Sequence, residues 1–401
     1  MYFGLDVHKK FIQVCKLSEK GTVVRNYQID GDRESIEEFT KTLKPTDAVV
    51  LETTFNSWGV YNILTKSKAR IVVSDANKVK AIASARVKTD KVDAEILARL
   101  LKADFIPEVH LPDEKTWSYR QLVSHLRLLS KQRTVIKNAI WGILNRSLIK
   151  VPFDNIFTKK AIKWLEEIDL DPLLRLQLNN QLFLLDAVSA AVNEAECSLE
   201  KIAVDEKSIQ LLLSIPGVGL KVALGLMSAI GDVSRFETPN QLASYFGLTP
   251  SISQSADRKY MGSITKQGTA YGRWLAVEAA QSLALSGSPI TASYFKIKNK
   301  KGHNVAVVAL ARKLIVVVWH MLKKQQPYRY AKPERVAEKL KILNPGLPNR
   351  YEVTNKEITT EEIYLQADLP KLKPATVAEK RTAIRNKKQV TYEKKRKNPK
   401  A

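Results

Sequence analysis

Val87-Lys88-Thr89-Asp90-Lys91-Val92-Asp93-Ala94-Glu95-Ile96-Leu97-Ala98-Arg99-Leu100-Leu101 is the stretch from which the rest of the chain is read. Its apolar residues Val92, Ile96, Leu97, Leu100 and Leu101 recur at three- and four-residue steps, which predicts a helix packed along one side. Asp90 and Asp93, three residues apart, fall on one side of its first turn, and no basic residue stands four positions after Asp90 to neutralise it. The plain reading is a helix start, with Thr89 or Asp90 as N-cap and acids favoured by the helix dipole. A chemical role for the two acids stays open beside it, and the residues upstream bear on the choice.

Residues 2 to 29 alternate like strands. Tyr2 to Val7, Phe11 to Leu17 and Thr22 to Ile29 form a three-strand meander with Glu19-Lys20-Gly21 as a turn. Ser35 to Leu43 follows with helical spacing, then a buried strand over Asp47 to Glu52, a helix over Tyr61 to Lys66 and a second buried strand over Arg70 to Ser74. This order predicts an α/β domain with a mixed sheet. Asp6 and Glu52 then lie near the carboxyl ends of strands, where open α/β sheets gather their functional groups. Asp6, Glu52, Asp90 and Asp93 are therefore expected to converge. Crowded carboxylates repel unless protons or cations intervene, and their hard oxygens suit Mg²⁺ or Mn²⁺. Two such ions about 4 Å apart stabilise the attacking and leaving oxygens of a phosphoryl transfer. His8, His110, His125, His303 and His320 are too scattered to predict a metal site, and His8 is expected at most to support a ligand.

The 401 residues carry 65 Lys+Arg against 41 Asp+Glu, a net charge of +24, which points first to nucleic acid. Apolar runs such as Leu314 to Trp319 are far shorter than the ~20 residues that span a bilayer, so no membrane partner is expected. The N-terminus carries no secretory pattern, and Cys15 and Cys197 alone offer neither a disulfide framework nor a cysteine zinc site. A reducing, cytoplasmic setting is the expectation.

From Lys115 to Phe153 there is no Asp or Glu, while Arg120, Arg127, Lys131 and Lys137 are among eight basic residues around an apolar seam. A second seam runs through Leu185, Val188, Val192, Ala195, Leu199 and Ile202. Together they predict a coiled-coil arm whose first helix contacts phosphate. Ser214-Ile215-Pro216-Gly217-Val218-Gly219-Leu220 reads as a helix-hairpin-helix turn, in which Gly217 and Gly219 let backbone N–H groups approach phosphate, although a tight turn without ligand uses similar residues. The polar segment from Ser251 to Gly268 sets hydroxyls beside Arg258, Lys259 and Lys266, with Arg273 just beyond. By residue type it is a phosphate-binding loop before it is a source of a nucleophile.

Gly4-Leu5-Asp6-Val7-His8-Lys9, Leu51-Glu52-Thr53-Thr54, Lys88-Thr89-Asp90-Lys91-Val92-Asp93-Ala94, Ile215-Pro216-Gly217-Val218-Gly219, and Phe246-Gly247-Leu248-Thr249-Pro250 followed by Ile264-Thr265-Lys266-Gln267-Gly268 together resemble one family. It is the DEDD-type transposases, or recombinases, of bacterial insertion sequences that are guided by a bridge RNA, and the resemblance runs from about Gly4 to Lys324. The resemblance implies an RNase H-like catalytic domain over 1–112, a coiled-coil arm over 113–207 and a mainly helical C-terminal transposase domain over 208–330. A basic, flexible tail over 331–401 completes the division. It also implies that Asp6, Glu52, Asp90 and Asp93 hold Mg²⁺ or Mn²⁺ and that a serine nucleophile falls on Ser255. Donor and target DNA, a structured guide RNA and a dimer-to-tetramer assembly are its implied partners, in the bacterial cytoplasm at the nucleoid. Two positions depart from the family pattern: Ala256 follows Ser255 where Gly is usual, with Ser251 and Ser253 nearby, and Phe55-Asn56 replaces a Gly after Glu52. A metal-dependent junction nuclease without covalent serine and a non-enzymatic nucleic-acid binder stand as competing readings.

Residues 371–401 hold twelve Lys/Arg against two Asp/Glu. Deleting them is expected to flatten the dependence of log K on log[salt] in a nucleic-acid titration, because fewer counterions are released on binding; an unchanged slope counts against an electrostatic role.

Overall fold

The computed structural model describes residues 1–83, 89–255 and 258–341. Two compact units form, Met1–Pro112 and a second that begins at Asp113.

In the first unit β1 (Tyr2–Val7), β2 (Phe11–Leu17) and β3 (Val23–Asp30) make the expected antiparallel meander. α1 (Arg33–Thr42) follows, capped by the Asp32 carboxylate, which accepts the Ser35 N–H. Next come β4 (Ala48–Glu52), α2 (Ser57–Leu64) and β5 (Arg70–Ser74). β4 lies parallel to β1 and β5 parallel to β4, so the sheet is mixed, with order β3-β2-β1-β4-β5. α3 (Ala76–Ile82) was not visible as a pattern, since its seven residues bury only Val79. α4 (Asp90–Lys102) closes the unit.

Alternation along the strands divides the sheet's side chains between two layers. Phe3, Leu5, Val7, Val49, Leu51 and Val73 share one cluster with Ile36 and Phe39 of α1 and Val60 and Leu64 of α2. On the opposite face Ala48, Val50 and Val72 meet Leu97 and Leu101 of α4, while Ala94 and Ala98 lie over Cys15 and Leu17. Gly4 sets the depth of that contact. A Cβ on it would stand 2.0 Å from the Ala94 carbonyl oxygen and 2.6 Å from the Ala98 nitrogen, so the α4 backbone rests directly on the central strand.

In the second unit α5 (Glu114–Arg146), α6 (Lys159–Glu167) and α7 (Pro172–Asp205) build the arm. Toward its tip, Ile136, Ile140 and Ile143 pack with Leu165, Leu178 and Leu185; toward its base, Val123, Leu126 and Leu129 meet Val192, Ala195 and Leu199, so α5 and α7 are antiparallel. The first arm helix ends at Arg146, and Leu148 takes a left-handed φ of 52° just beyond it. The base of the arm shares one core with the elements that follow. These are α8 (Lys207–Leu213), α9 (Leu220–Ile230), α10 (Pro239–Tyr245), β6 (Pro250–Ser255), β7 (Arg258–Ile264), α11 (Ala270–Ala284), α12 (Ala292–Lys301), α13 (His303–Lys324) and α14 (Pro333–Lys341). β6 and β7 form an antiparallel ribbon where the sequence read as a polar loop.

Two further expectations change. α13, with 22 residues, is long and apolar enough to cross a membrane, because the run extends well before Leu314; Leu310, Ala311, Leu314, Ile315 and Val318 are buried in the unit's core. Residues 333–341, expected within a flexible tail, form α14, which buries Val336 and Leu340. Its Lys339 ammonium donates to the carbonyls of Leu213, Ile215 and Val218 at 2.9, 2.9 and 2.8 Å, and burial pushes its pKa down to about 8. The rest of the tail, 342–401, lies outside the described residues.

Gly4→Ala is expected to lift α4 off β1 and to cost about 1–3 kcal/mol, read as a lowered midpoint in chemical denaturation. An unchanged midpoint would mean that the contact can relax freely.

Candidate active site

Asp6 and Glu52 stand side by side because Leu5 pairs with Leu51 in the parallel β1–β4 ladder and each acid is the next residue. Alternation places both on the sheet face that carries α4, one step beyond Gly4 and Val50. The first turn of α4 brings Asp90 and Asp93 to the same edge. Thr89 caps this helix, its hydroxyl accepting the Val92 N–H at 3.4 Å. The capping role is therefore filled without the Asp90 side chain.

His8 lies among the acids. Its Nε2 is 3.0 Å from Asp6 Oδ2 and 3.4 Å from Asp90 Oδ1, and one donor atom from each of the three residues falls within 4.8 Å of the others. The imidazole is propped by the Phe11 ring at 4.7 Å, and the His8 carbonyl accepts from Asn56 Nδ2 at 3.3 Å. Its nearness to Asp6 in sequence marked it as a support for a ligand, while its contact with Asp90 is made by the fold. The usable signal was local: residues two apart at a strand end share a face.

Burial pushes the Asp6 carboxyl above the ordinary carboxylate range; His8 opposes that shift, and the charges of Asp90 and Asp93 add to it. Asp6 and Asp90 with the His8 imidazole between them thus form a donor set that a divalent cation would neutralise, and the carboxylate oxygens fit Mg²⁺ or Mn²⁺. Behind Asp6, its cross-strand partner Gln13 is fully buried. Gln13 Nε2 donates to Asn26 Oδ1, and Asn26 Nδ2 donates to the Lys91 carbonyl at 3.1 Å, tying β2 and β3 to the start of α4.

The other expected residues all lie in the second unit. Gly217 takes a φ of 84°, and its missing Cβ would strike Ser282, Leu283 and Ala279, so that glycine serves close packing on α11; Gly219, at the N-terminus of α9, has open space around it. Arg120 donates to the carbonyls of Ser228 and Ala229 at 2.7 and 3.4 Å. Arg127 lies over the Tyr271 ring at 5.0 Å, Lys131 is exposed, and Lys137 lies over Phe157 at 4.5 Å, its pKa lowered by burial and by Arg133. Arg273 Nη1 donates to the Phe246 carbonyl at 3.1 Å, while Lys266 is exposed with a φ of 57°.

Ser255 ends β6 and pairs with Arg258 across the ribbon turn. The side chains of Ser255, Arg258 and Lys259, and all of Ala256 and Asp257, lie outside the described residues. Of the neighbouring serines, the Ser251 hydroxyl donates to the Ser263 carbonyl at 3.1 Å. The ribbon rises from two interlocked turns. A Cβ on Gly247 would stand 2.3 Å from the Gln267 carbonyl oxygen, and one on Gly268 would stand 2.1 Å from that of Tyr245.

Comparison with known proteins agrees with this layout. A DEDD transposase profile matches residues 3–149, and a profile described as the transposase IS116/IS110/IS902 family matches residues 209–296. The chain is similar to the transposase for insertion sequence element IS1111A of Coxiella burnetii, 25% identical over 342 residues, which are 81% of this chain and 90% of that protein. It is similar to a probable family 20 transposase of Pseudomonas aeruginosa, 25% identical over 81% of this chain and 98% of that protein. A pilin gene-inverting protein of Moraxella bovis is 24% identical over 82% of this chain and 97% of its own length.

Proposed function

The chain belongs to the IS116/IS110/IS902 family of transposases, with a DEDD N-terminal domain, and from that premise we propose how its residues divide the work of cutting and rejoining the DNA of an insertion sequence. It is a phosphoryl-transfer enzyme acting on DNA. The observation that carries the reading is the meeting of Asp6, His8 and Asp90 at the carboxyl edge of the sheet, with Glu52 on the neighbouring strand and Asp93 one turn further along the helix.

A DEDD domain acts with divalent metal, and we assign Asp6, Glu52, Asp90 and Asp93 to holding Mg²⁺ or Mn²⁺. Such ions supply Lewis-acid stabilisation to the attacking and leaving oxygens of a phosphodiester. His8, against both Asp6 and Asp90, restricts the rotamers of the two carboxylates, so less order has to be gained on binding. Ser255 is assigned as the nucleophile, carried at the tip of a ribbon whose root is fixed by the Gly247 and Gly268 contacts. A serine hydroxyl is weak near neutral pH and requires an activating group beside it. We assign Lys266 and Arg258 to steadying phosphate charge, and Arg273 braces the ribbon root through Phe246.

Donor and target DNA are the substrates, a structured guide RNA selects them by base pairing, and a dimer to tetramer of this chain carries out the exchange in the bacterial cytoplasm. The same strand exchange serves inversion, the activity for which the Moraxella bovis relative is named.

A suicide DNA substrate tests the division of labour. The native chain is expected to leave a denaturant-stable protein–DNA adduct in Mg²⁺, and Ser255→Ala and Asp90→Ala each to abolish it, with strand transfer falling by several orders of magnitude. An adduct that persists in Ser255→Ala removes that residue from the role. Cleavage by the native chain without any adduct establishes a water-using junction nuclease instead.

A further inference from the structure

The second unit carries an aromatic and guanidinium stack that the chemistry above does not use. Tyr271 and Trp274 sit three residues apart on α11; Tyr271 packs partly against the unit's core, while Trp274 faces away from the buried Leu275, Ala276, Ala279 and Leu283. Their rings stack, with centroids 5.6 Å apart and planes 18° from parallel. Arg127 of α5 lies over the Tyr271 ring at 5.0 Å, so a planar cation from one helix and two rings from another form a single pile. The pile ends in water: the Trp274 indole is 52% exposed.

The surroundings are suited to a nucleotide. A cleft of about 300 Å³ opens beside Tyr271, lined in part by Arg120, Ser124, Ser228, Tyr245 and Thr269. Thr269 caps the fifteen-residue α11, whose N-terminus supplies a positive dipole end. Along α5, Arg120, Ser124, Arg127 and Lys131 follow at steps of four, three and four and so share one face, and that helix holds no acid beyond Glu114. Glu278, one turn past Trp274, is the sole acid of α11. A half-exposed indole costs free energy unless something covers it, and what covers it here must tolerate a cation stacked beneath and basic residues around.

We propose that Trp274 and Tyr271, backed by Arg127, form a stacking site for an unpaired nucleobase of DNA or RNA, with the adjoining cleft and the α5 stripe receiving the attached sugar and phosphate. A base in a duplex keeps both faces against its neighbours, so the partner is a single-stranded or extruded base. The proposal rests on the reading of this chain as a nucleic-acid enzyme but on none of the residues assigned to the phosphoryl transfer.

Fluorescence anisotropy with the full-length chain tests it, using a short single-stranded DNA, the same sequence as RNA, and the DNA duplex. Trp274→Ala is expected to weaken single-strand binding about tenfold or more while duplex binding changes less than about twofold, with Trp274→Phe restoring most of the loss. Arg127→Lys, which keeps the charge and removes the plane, is expected to weaken the same probe. Whichever of the DNA and RNA strands loses affinity in Trp274→Ala identifies the source of the base. Equal affinity of native chain and Trp274→Ala for both single strands overturns the proposal. Equal losses on single strand and duplex also overturn it, as does a loss accompanied by a smaller sedimenting species, which makes the indole a contact between copies. These titrations read binding and the suicide-substrate assay reads a covalent adduct, so failure here does not touch the catalytic reading, and failure of the adduct assay does not touch this one.

Discussion

The organisation of the first unit depends on how close a helix backbone can come to a strand. With hydrogen as the side chain of Gly4, α4 rests on β1 at a separation that no Cβ allows. The acids at the first turn of α4 are thereby brought down to the strand ends, and Asp6, at the next same-face position beyond Gly4, shares one imidazole with Asp90. Small residues on the helix complete the fit, since Ala94 and Ala98 face the sheet and the larger Leu97 and Leu101 fill the space over Val50 and Val72. Apolar packing thus holds like charges together, and the raised pKa of Asp6 reflects first its burial and then the added charges of Asp90 and Asp93, against which His8 acts.

Close backbone approach recurs in the second unit. Gly247 and Gly268 let two turns interlock at the root of the β6–β7 ribbon, and Gly217 lets the hairpin turn lie against α11. The hairpin is also held from behind by the Lys339 ammonium, which takes up three carbonyls that the turn leaves without helical partners. Of the two glycines that read as phosphate features, Gly217 therefore has a packing reason as well, while the space around Gly219 is open.

Much of this was legible in the residues. The strand meander, the mixed sheet and the α4 helix followed from period-two and period-3.6 patterns, and the edge position of Asp6 and Glu52 followed from the strands. α3 was not legible because two turns burying one side chain carry no period. The β6–β7 ribbon was not either, since Ser251, Ser253 and their neighbours are polar and pair by backbone alone. His8 was legible beside Asp6, but its contact with Asp90 is made by the fold, and the pile of Arg127, Tyr271 and Trp274 likewise joins residues of two helices far apart in sequence.

Anomalous diffraction from crystals of the full chain grown in Mn²⁺ tests the central claim most directly. The account predicts a peak at direct ligand distance, about 2.1 Å, from the carboxylates of both Asp6 and Asp90, with Glu52 or Asp93 completing the shell. Saturating Mn²⁺ with no peak at that edge, or with an ion bound elsewhere while Asp6 and Asp90 stay apart, would contradict it.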